Sequence, residues 1–234
     1  MFEELIVTRR KIPNSEFLIP DSLSYFCRMK IAIINYDAGN IRSVIFALER
    51  LGVQPILTSD IETIQTADKV IFPGQGEANS AMRSLRERGL DKVIPTLKQP
   101  FLGVCVGMQL LCEHSEENDT PCLGVIPQKV IRFPTIQGLK VPHVGWNTIY
   151  TEGGMNSENV GNGSILSPNF KDNYFYFVHS YYVEHGIYTT ARCDYGVPFA
   201  ACLRKDNFHA AQFHPEKSSR AGEQLLENFL KIKV

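Results

Sequence analysis

One cysteine sits between two glycines in Gly103-Val104-Cys105-Val106-Gly107, where the apolar run Phe101-Leu102 gives way to a helical pattern. That is the cysteine form of a nucleophile elbow, a sharp strand-to-helix turn that exposes one reactive side chain. Glycines at 103 and 107 let neighbouring chain crowd the turn while Cys105 takes a strained conformation. The helix beginning there directs its N-terminal amides at the sulfur, which favours the thiolate. A base is available in Ala210-Ala211-Gln212-Phe213-His214-Pro215-Glu216. Pro215 fixes its own φ and biases His214 toward an extended conformation. If the stretch stays extended, His214 and Glu216 project to the same side. A carboxylate beside an imidazole selects its tautomer and stabilises its protonated form. Nucleophile, base and orienter then follow in the order Cys105, His214, Glu216.

The elements that must position these groups read as alternating strands and helices. Lys30 to Tyr36 is a buried-strand run, and Ile41, Val44, Ile45, Leu48 and Leu51 follow helical spacing up to a stop at Gly52. Short strands are expected at 55–57 and 70–72, and Pro73-Gly74-Gln75-Gly76 is a turn leaving the second of them. Loops at strand carboxyl ends are where open α/β sheets place ligands, and two glycines around one residue let a backbone N–H face one. A helix over 85–97 breaks near Gly89, and helical turns run from Met108 to Cys112, with Cys112 in the core. Residues 123–150 alternate like strands, 151–163 form an exposed polar loop, and Tyr174 to Val178 is an aromatic strand delivering His179-Ser180-Tyr181. Further strands are expected near 187–193, 198–203 and 208–213. A closing amphipathic helix carries Ala221, Leu225, Leu226, Phe229 and Leu230 on its apolar side. Alternation of this kind implies βαβ units, an α/β fold with an open, mostly parallel sheet flanked by helices.

Composition narrows the setting. The 234 residues are 44% hydrophobic, and 24 basic against 25 acidic residues leave no global field to recruit nucleic acid or a membrane surface. No run of 18 apolar residues exists. Six cysteines, at 27, 105, 112, 122, 193 and 202, form no Cys-x-x-Cys pair. That spacing argues against zinc or a disulfide framework and fits a reducing cytosol. Residues 1–28 lack clean periodicity, and the character changes at Met29. The expectation is an N-terminal extension over 1–28, outside the domain, and one domain over 29–234.

Gly103-Val104-Cys105-Val106-Gly107-Met108-Gln109 and Gln212-Phe213-His214-Pro215-Glu216 together resemble the class I (triad) glutamine amidotransferases. Four further stretches resemble, in order, the branch that forms the glutaminase subunits of imidazole glycerol phosphate synthase in histidine biosynthesis. They are Asn35-Tyr36-Asp37-Ala38-Gly39-Asn40, Pro73-Gly74-Gln75-Gly76, Val141-Pro142-His143-Val144-Gly145-Trp146-Asn147 and Tyr176-Phe177-Val178-His179-Ser180-Tyr181-Tyr182. The resemblance covers essentially Met29 to Val234. It implies a flavodoxin-like sheet, with Cys105 as nucleophile, His214 as base and Glu216 as its orienter. It also implies an oxyanion site from the backbone amides of Gly74, Gln75 and Val106, and glutamine binding by Gln109, Ser180 and Tyr181. The implied partner is a (β/α)₈-barrel cyclase subunit in a heterodimer, met by Trp146, Tyr176 and Lys217, with no cofactor and no metal. Two departures stand out: Val106 replaces a usual leucine, and Pro-Gly-Gln-Gly-Glu-Ala replaces the more usual Pro-Gly-Val-Gly-Ala-Phe. The same motifs also fit relatives that supply ammonia to amidino-sugar synthesis, and a non-catalytic scaffold would keep the fold.

Overall fold

The computed structural model describes residues 29–36, 41–151, 163–167, 170 and 173–233. The 1–28 extension, the Asp37–Asn40 turn and most of the 151–163 loop lie outside them. Strands β1 (Ile31–Ile34), β2 (Ile56–Thr58), β3 (Lys69–Phe72) and β4 (Phe101–Val104) alternate with helices α1 (Arg42–Arg50), α2 (Ile61–Gln65), α3 (Ala78–Glu87) and α4 (Leu90–Val93). Helix α5 (Val106–Leu110) leaves β4. Then follow β5 (Cys112–Ser115), β6 (Thr120–Pro121), β7 (Ile126–Arg132), β8 (His143–Thr148), β9 (Tyr150–Thr151), β10 (Tyr174–His179) and β11 (Tyr181–Val183). Strands β12 (Thr189–Tyr195), β13 (Val197–Lys205) and β14 (Phe208–Ala211) precede the closing helix α6 (Ser219–Lys231).

The main sheet has the order β2-β1-β3-β4-β14-β13-β12-β9. Its first five strands are parallel, and the last three continue the sheet antiparallel. Strands β1, β3, β4 and β14 are buried along their whole length, so they do not alternate; β1 and β4 read as continuous apolar runs, while β3 and β14 each bury one polar side chain, Lys69 and His209. The register is what matters for function. Gly103 of β4 is flanked by Phe72 of β3 and Ala210 of β14, so the turn at 73–76, the cysteine elbow and the His214 turn leave the same end of three adjacent strands. That is the edge where an open parallel sheet places its ligands.

Two smaller sheets cover this edge: an antiparallel ribbon of β8 and β10, and a four-stranded sheet β11-β7-β5-β6. The closing helix buries Ala221, Leu225, Leu226, Phe229 and Leu230 as its spacing predicts. Two boundaries and one unexpected helix differ from the sequence reading. The helix expected at 108–112 starts at Val106 and ends at Leu110, because Cys112 enters β5 and pairs with Ile126 of β7. Helix α3 starts at Ala78, where the Glu77 side chain accepts from the amides of Asn79 and Ser80. Helix α2 has no apolar period to announce it; Asp60 caps it by accepting from the Thr63 amide at 2.8 Å.

Candidate active site

The elbow is built by backbone crowding. Cys105 sits at φ 52° and ψ −111°, a left-handed setting that costs a non-glycine residue energy and persists only when its surroundings enforce it. They do. A Cβ on Gly107 would lie 2.1 Å from the Phe72 carbonyl oxygen, and one on Gly74 would lie 2.3 Å from both the Gly107 nitrogen and the Val104 oxygen. Glycine at both positions lets the end of β3 press directly on the elbow. The Cys105 amide completes the clamp, donating to the Ala211 carbonyl of β14 at 2.8 Å. Helix α5 has only five residues, so what it offers the sulfur is its first amides rather than a long macrodipole.

His214 and Glu216 meet, though not by the extended path predicted for them. His214 is extended, at φ −96° and ψ 98°, but Pro215–Lys217 form a 3₁₀ turn. The turn is closed by Lys217 N–H to the His214 carbonyl and Ser218 N–H to the Pro215 carbonyl, both at 3.0 Å. Ser218 Oγ adds a bond to the His214 carbonyl at 2.6 Å. The turn swings the Glu216 carboxylate onto His214 Nδ1 at 2.9 Å, with both side chains 4% exposed. Because Nδ1 is taken, Nε2 is the nitrogen free for Cys105. Burial pulls the imidazole pKa down, but hydrogen bonds to Cys105 and Glu216 outweigh it and push the pKa up to about 10.

An open pocket of about 250 Å³ has Cys105 in its wall. Cys105, Val106, Gln109, Ser180 and Tyr181 line it, so the elbow and the three residues expected to hold glutamine come together. Of the predicted oxyanion amides, Val106 faces this pocket while Gly74 and Gln75 do not; Gly76 of the same turn does. Gly74 is buried against the elbow. The Gln75 amide is turned toward the hydroxyl of Tyr36, which in turn donates to the Pro73 carbonyl at 2.6 Å. The turn is therefore held by Tyr36.

Sequence reasoning misses Glu117. It lines the pocket, accepts from the Ala78 amide at 2.8 Å, and burial raises its pKa. Nothing local distinguishes it from a solvated acid in Ser115-Glu116-Glu117-Asn118-Asp119. His179 also lines the pocket but is no base. Burial lowers its pKa to about 3 and that of His143 to about 4, and the two neutral rings are bonded at 3.1 Å. The residues predicted to face a partner also assemble. Trp146 and Tyr176 are cross-strand neighbours on the ribbon, with ring centroids 5.7 Å apart, and Lys217 closes the turn that carries His214. Val144, Trp146 and Tyr174, each at least half exposed, give this ribbon a bare apolar face. Among the described residues no group of three or more His, Cys, Asp or Glu could hold a metal, and no helix is long and apolar enough to cross a membrane.

The family model for class I glutamine amidotransferases matches residues 32–232. The chain belongs to that family. Among curated class I relatives, the imidazole glycerol phosphate synthase subunit HisH of Bacteroides fragilis strain YCH46 is 51% identical over 205 residues, covering 87% of this chain and all of the relative. The HisH subunit of Pasteurella multocida is 44% identical, over 86% of this chain and 96% of the relative. The glutamine amidotransferase fold is shared by a solved structure described by that activity, with a TM-score of 0.63 and 21% identity over 85% of this chain and 96% of the other. A putative GMP synthase subunit from Thermoplasma acidophilum aligns with a TM-score of 0.61 and 19% identity, over 86% and 92% of the two chains. At these identities the solved structures speak to the amidotransferase fold alone.

Proposed function

We propose that this chain is the glutaminase subunit of imidazole glycerol phosphate synthase in histidine biosynthesis, supplying ammonia to a (β/α)₈-barrel cyclase subunit. The carrying observation is Cys105 between a buried His214–Glu216 pair and the pocket of Gln109, Ser180, Tyr181 and Glu117. His214 takes the thiol proton, and the sulfur attacks the side-chain amide carbon of glutamine. The developing oxyanion needs amide donors, and we assign one to Val106, which lines the pocket. His214 then protonates the departing nitrogen, the C–N bond breaks, and ammonia leaves a glutamyl thioester. Water, deprotonated by His214, hydrolyses the thioester to glutamate and frees the thiol. Glu216 keeps Nδ1 occupied and stabilises the imidazolium between these steps. Glu117 is the carboxylate placed to meet the α-ammonium of glutamine, alongside Gln109, Ser180 and Tyr181.

Ammonia is protonated and lost in water, so its acceptor must dock close to the sulfur. The bare face of Val144, Trp146 and Tyr174 fits that need, and it continues into Val178, which lines the pocket. Tyr176 accepts from the His214 amide at 2.9 Å, so the ribbon and the base share a contact. Trp146, Tyr176 and Lys217 are the residues we assign to that interface. The test is Cys105→Ala assembled with a candidate barrel cyclase. Glutamine-dependent glutamate release should fall to background, roughly 10⁴-fold or more, while synthesis from added ammonium salts persists. Continued glutamate release from the variant would sink the nucleophile assignment.

A further inference from the structure

Cys105 receives a hydrogen bond that the hydrolytic mechanism does not use. Gln212, fully buried just beyond β14, places Nε2 3.7 Å from Cys105 Sγ. Its Oε1 accepts from Gln109 Nε2 at 3.0 Å, and that same Nε2 donates to the Tyr181 carbonyl at 2.8 Å. The Tyr181 oxygen is shared, since His179 Nδ1 bonds it at 2.8 Å.

We infer that Gln212 is a positioning residue for the nucleophile, and that Gln109 fixes its polarity so that Cys105 always faces an N–H donor. The step rests on the reading of Cys105 as nucleophile. The polarity follows from which atoms can only accept. A carbonyl oxygen cannot donate, so Gln109 must present Nε2 to Tyr181. The second hydrogen of that Nε2 goes to Gln212, which must therefore present Oε1. What remains for the sulfur is Gln212 Nε2. Turning the Gln212 amide over would set its nitrogen against the Gln109 nitrogen and its oxygen against the sulfur, leaving buried groups unpaired, which is costly. A fixed donor stabilises the sulfur as it becomes anionic. Gln109, with both hydrogens spent, has only Oε1 left to offer the pocket.

The two predicted roles of Gln109 can be told apart without glutamine. Cys105 alkylation by iodoacetamide is followed at one fixed pH by the mass of the Cys105 peptide, alongside thermal melting. Gln212→Met should slow alkylation about tenfold, the worth of one hydrogen bond to a charged group. Gln109→Met should slow it about threefold, by freeing the Gln212 amide to turn, and the double variant should match Gln212→Met alone. A residue that only binds glutamine would leave the Gln109→Met rate unchanged. A purely structural loss would open the buried thiol and speed the reaction, the opposite sign. Should Gln212→Met fail to melt cooperatively, Gln212→Leu replaces it, removing the donor without adding a charge beside the sulfur. A folded Gln212 variant alkylated at the wild-type rate overturns the proposal. Cys105→Ala that still releases glutamate overturns the functional reading instead, and leaves these rates standing.

Discussion

The cysteine elbow, with Gly74 packed against it, and the Gln75–Gly76 stretch beside it are held in opposite ways. At the elbow, a Cβ on Gly103 would strike the Gly107 oxygen at 2.8 Å, one on Gly107 would strike Phe72, and Cys105 is pinned at positive φ by β14. In the turn at 73–76, Gly76 takes φ 128° with nothing within 4 Å of where a Cβ would stand. A side-chain hydroxyl, that of Tyr36, holds the Pro73 carbonyl and faces the Gln75 amide. Close-packed backbone has one arrangement, because any displacement meets hard repulsion. A segment held by a hydroxyl can be released for about the worth of one hydrogen bond. The nucleophile is thus preset by the fold, together with Gly74 packed against it, and the Gln75–Gly76 part of the turn is the adjustable half.

The sharpest way to break the comparison is Gly107→Ala. A methyl group 2.1 Å from the Phe72 oxygen cannot be absorbed by a flexible side chain, since both partners are backbone. The expected loss is about 3 kcal/mol or more of stability, read as a large fall in Tm or as insoluble protein. Gly76→Ala meets only the conformational penalty of its φ and should fold. Equal stability losses at the two positions would erase the distinction between a clamped elbow and an open turn.

A smaller and pH-dependent effect belongs to Glu216→Gln. Folding raises the His214 pKa from the ordinary 6.5 to about 10, so its contribution is fully present below 6.5 and is lost as pH rises through 10. Wild type should exceed Glu216→Gln by about 3 kcal/mol at pH 6, the scale for breaking a buried ion pair. The gap should narrow as pH approaches 10. Denaturant melts across that window check it; a gap that stays constant with pH would mean that His214 is neutral in the folded protein.

How much of this is legible in the chain depends on whether the cause is local. The elbow is legible because Gly103, Cys105 and Gly107 are close in sequence, and because strands buried on both faces leave unbroken apolar runs. The His214–Glu216 contact is legible in its partners but not in its path. The 3₁₀ turn depends on Ser218 reaching back to the His214 carbonyl, and on Gly222 of α6, where a Cβ would fall 1.9 Å from the Pro215 oxygen. Both lie outside the motif. Glu117 reaches the pocket from the turn between β5 and β6, in a sheet whose β7 and β11 partners pair across about 50 positions, from Tyr181–Arg132 to Val183–Val130, and no local pattern reports that pairing. Gln109 and Ser180 are polar residues of ordinary type; only the resemblance picks them out. Gln212 has a role only once Gln109 is beside it, 103 positions away in sequence.

The finest probe of the adjustable half is Tyr36→Phe. The ring packs edge-on against Phe72 at 5.1 Å, and phenylalanine keeps that contact. Burial holds the hydroxyl far above its usual pKa, so at any working pH it is a neutral donor to the Pro73 carbonyl. Removing it costs about 1 kcal/mol, or roughly 2–4 °C in Tm for a domain of this size. The same change releases the Gln75 amide from its competing acceptor and leaves it free to turn toward the oxyanion. Glutaminase activity of the isolated chain should therefore rise about threefold, with faster hydrogen exchange at Gln75 and an unchanged Cys105 alkylation rate. The last readout separates the two turns, because the elbow does not depend on Tyr36. A fall in activity would assign Tyr36 the reverse duty, holding the turn in its working form, and the adjustable half would then be one that the hydroxyl sets rather than restrains.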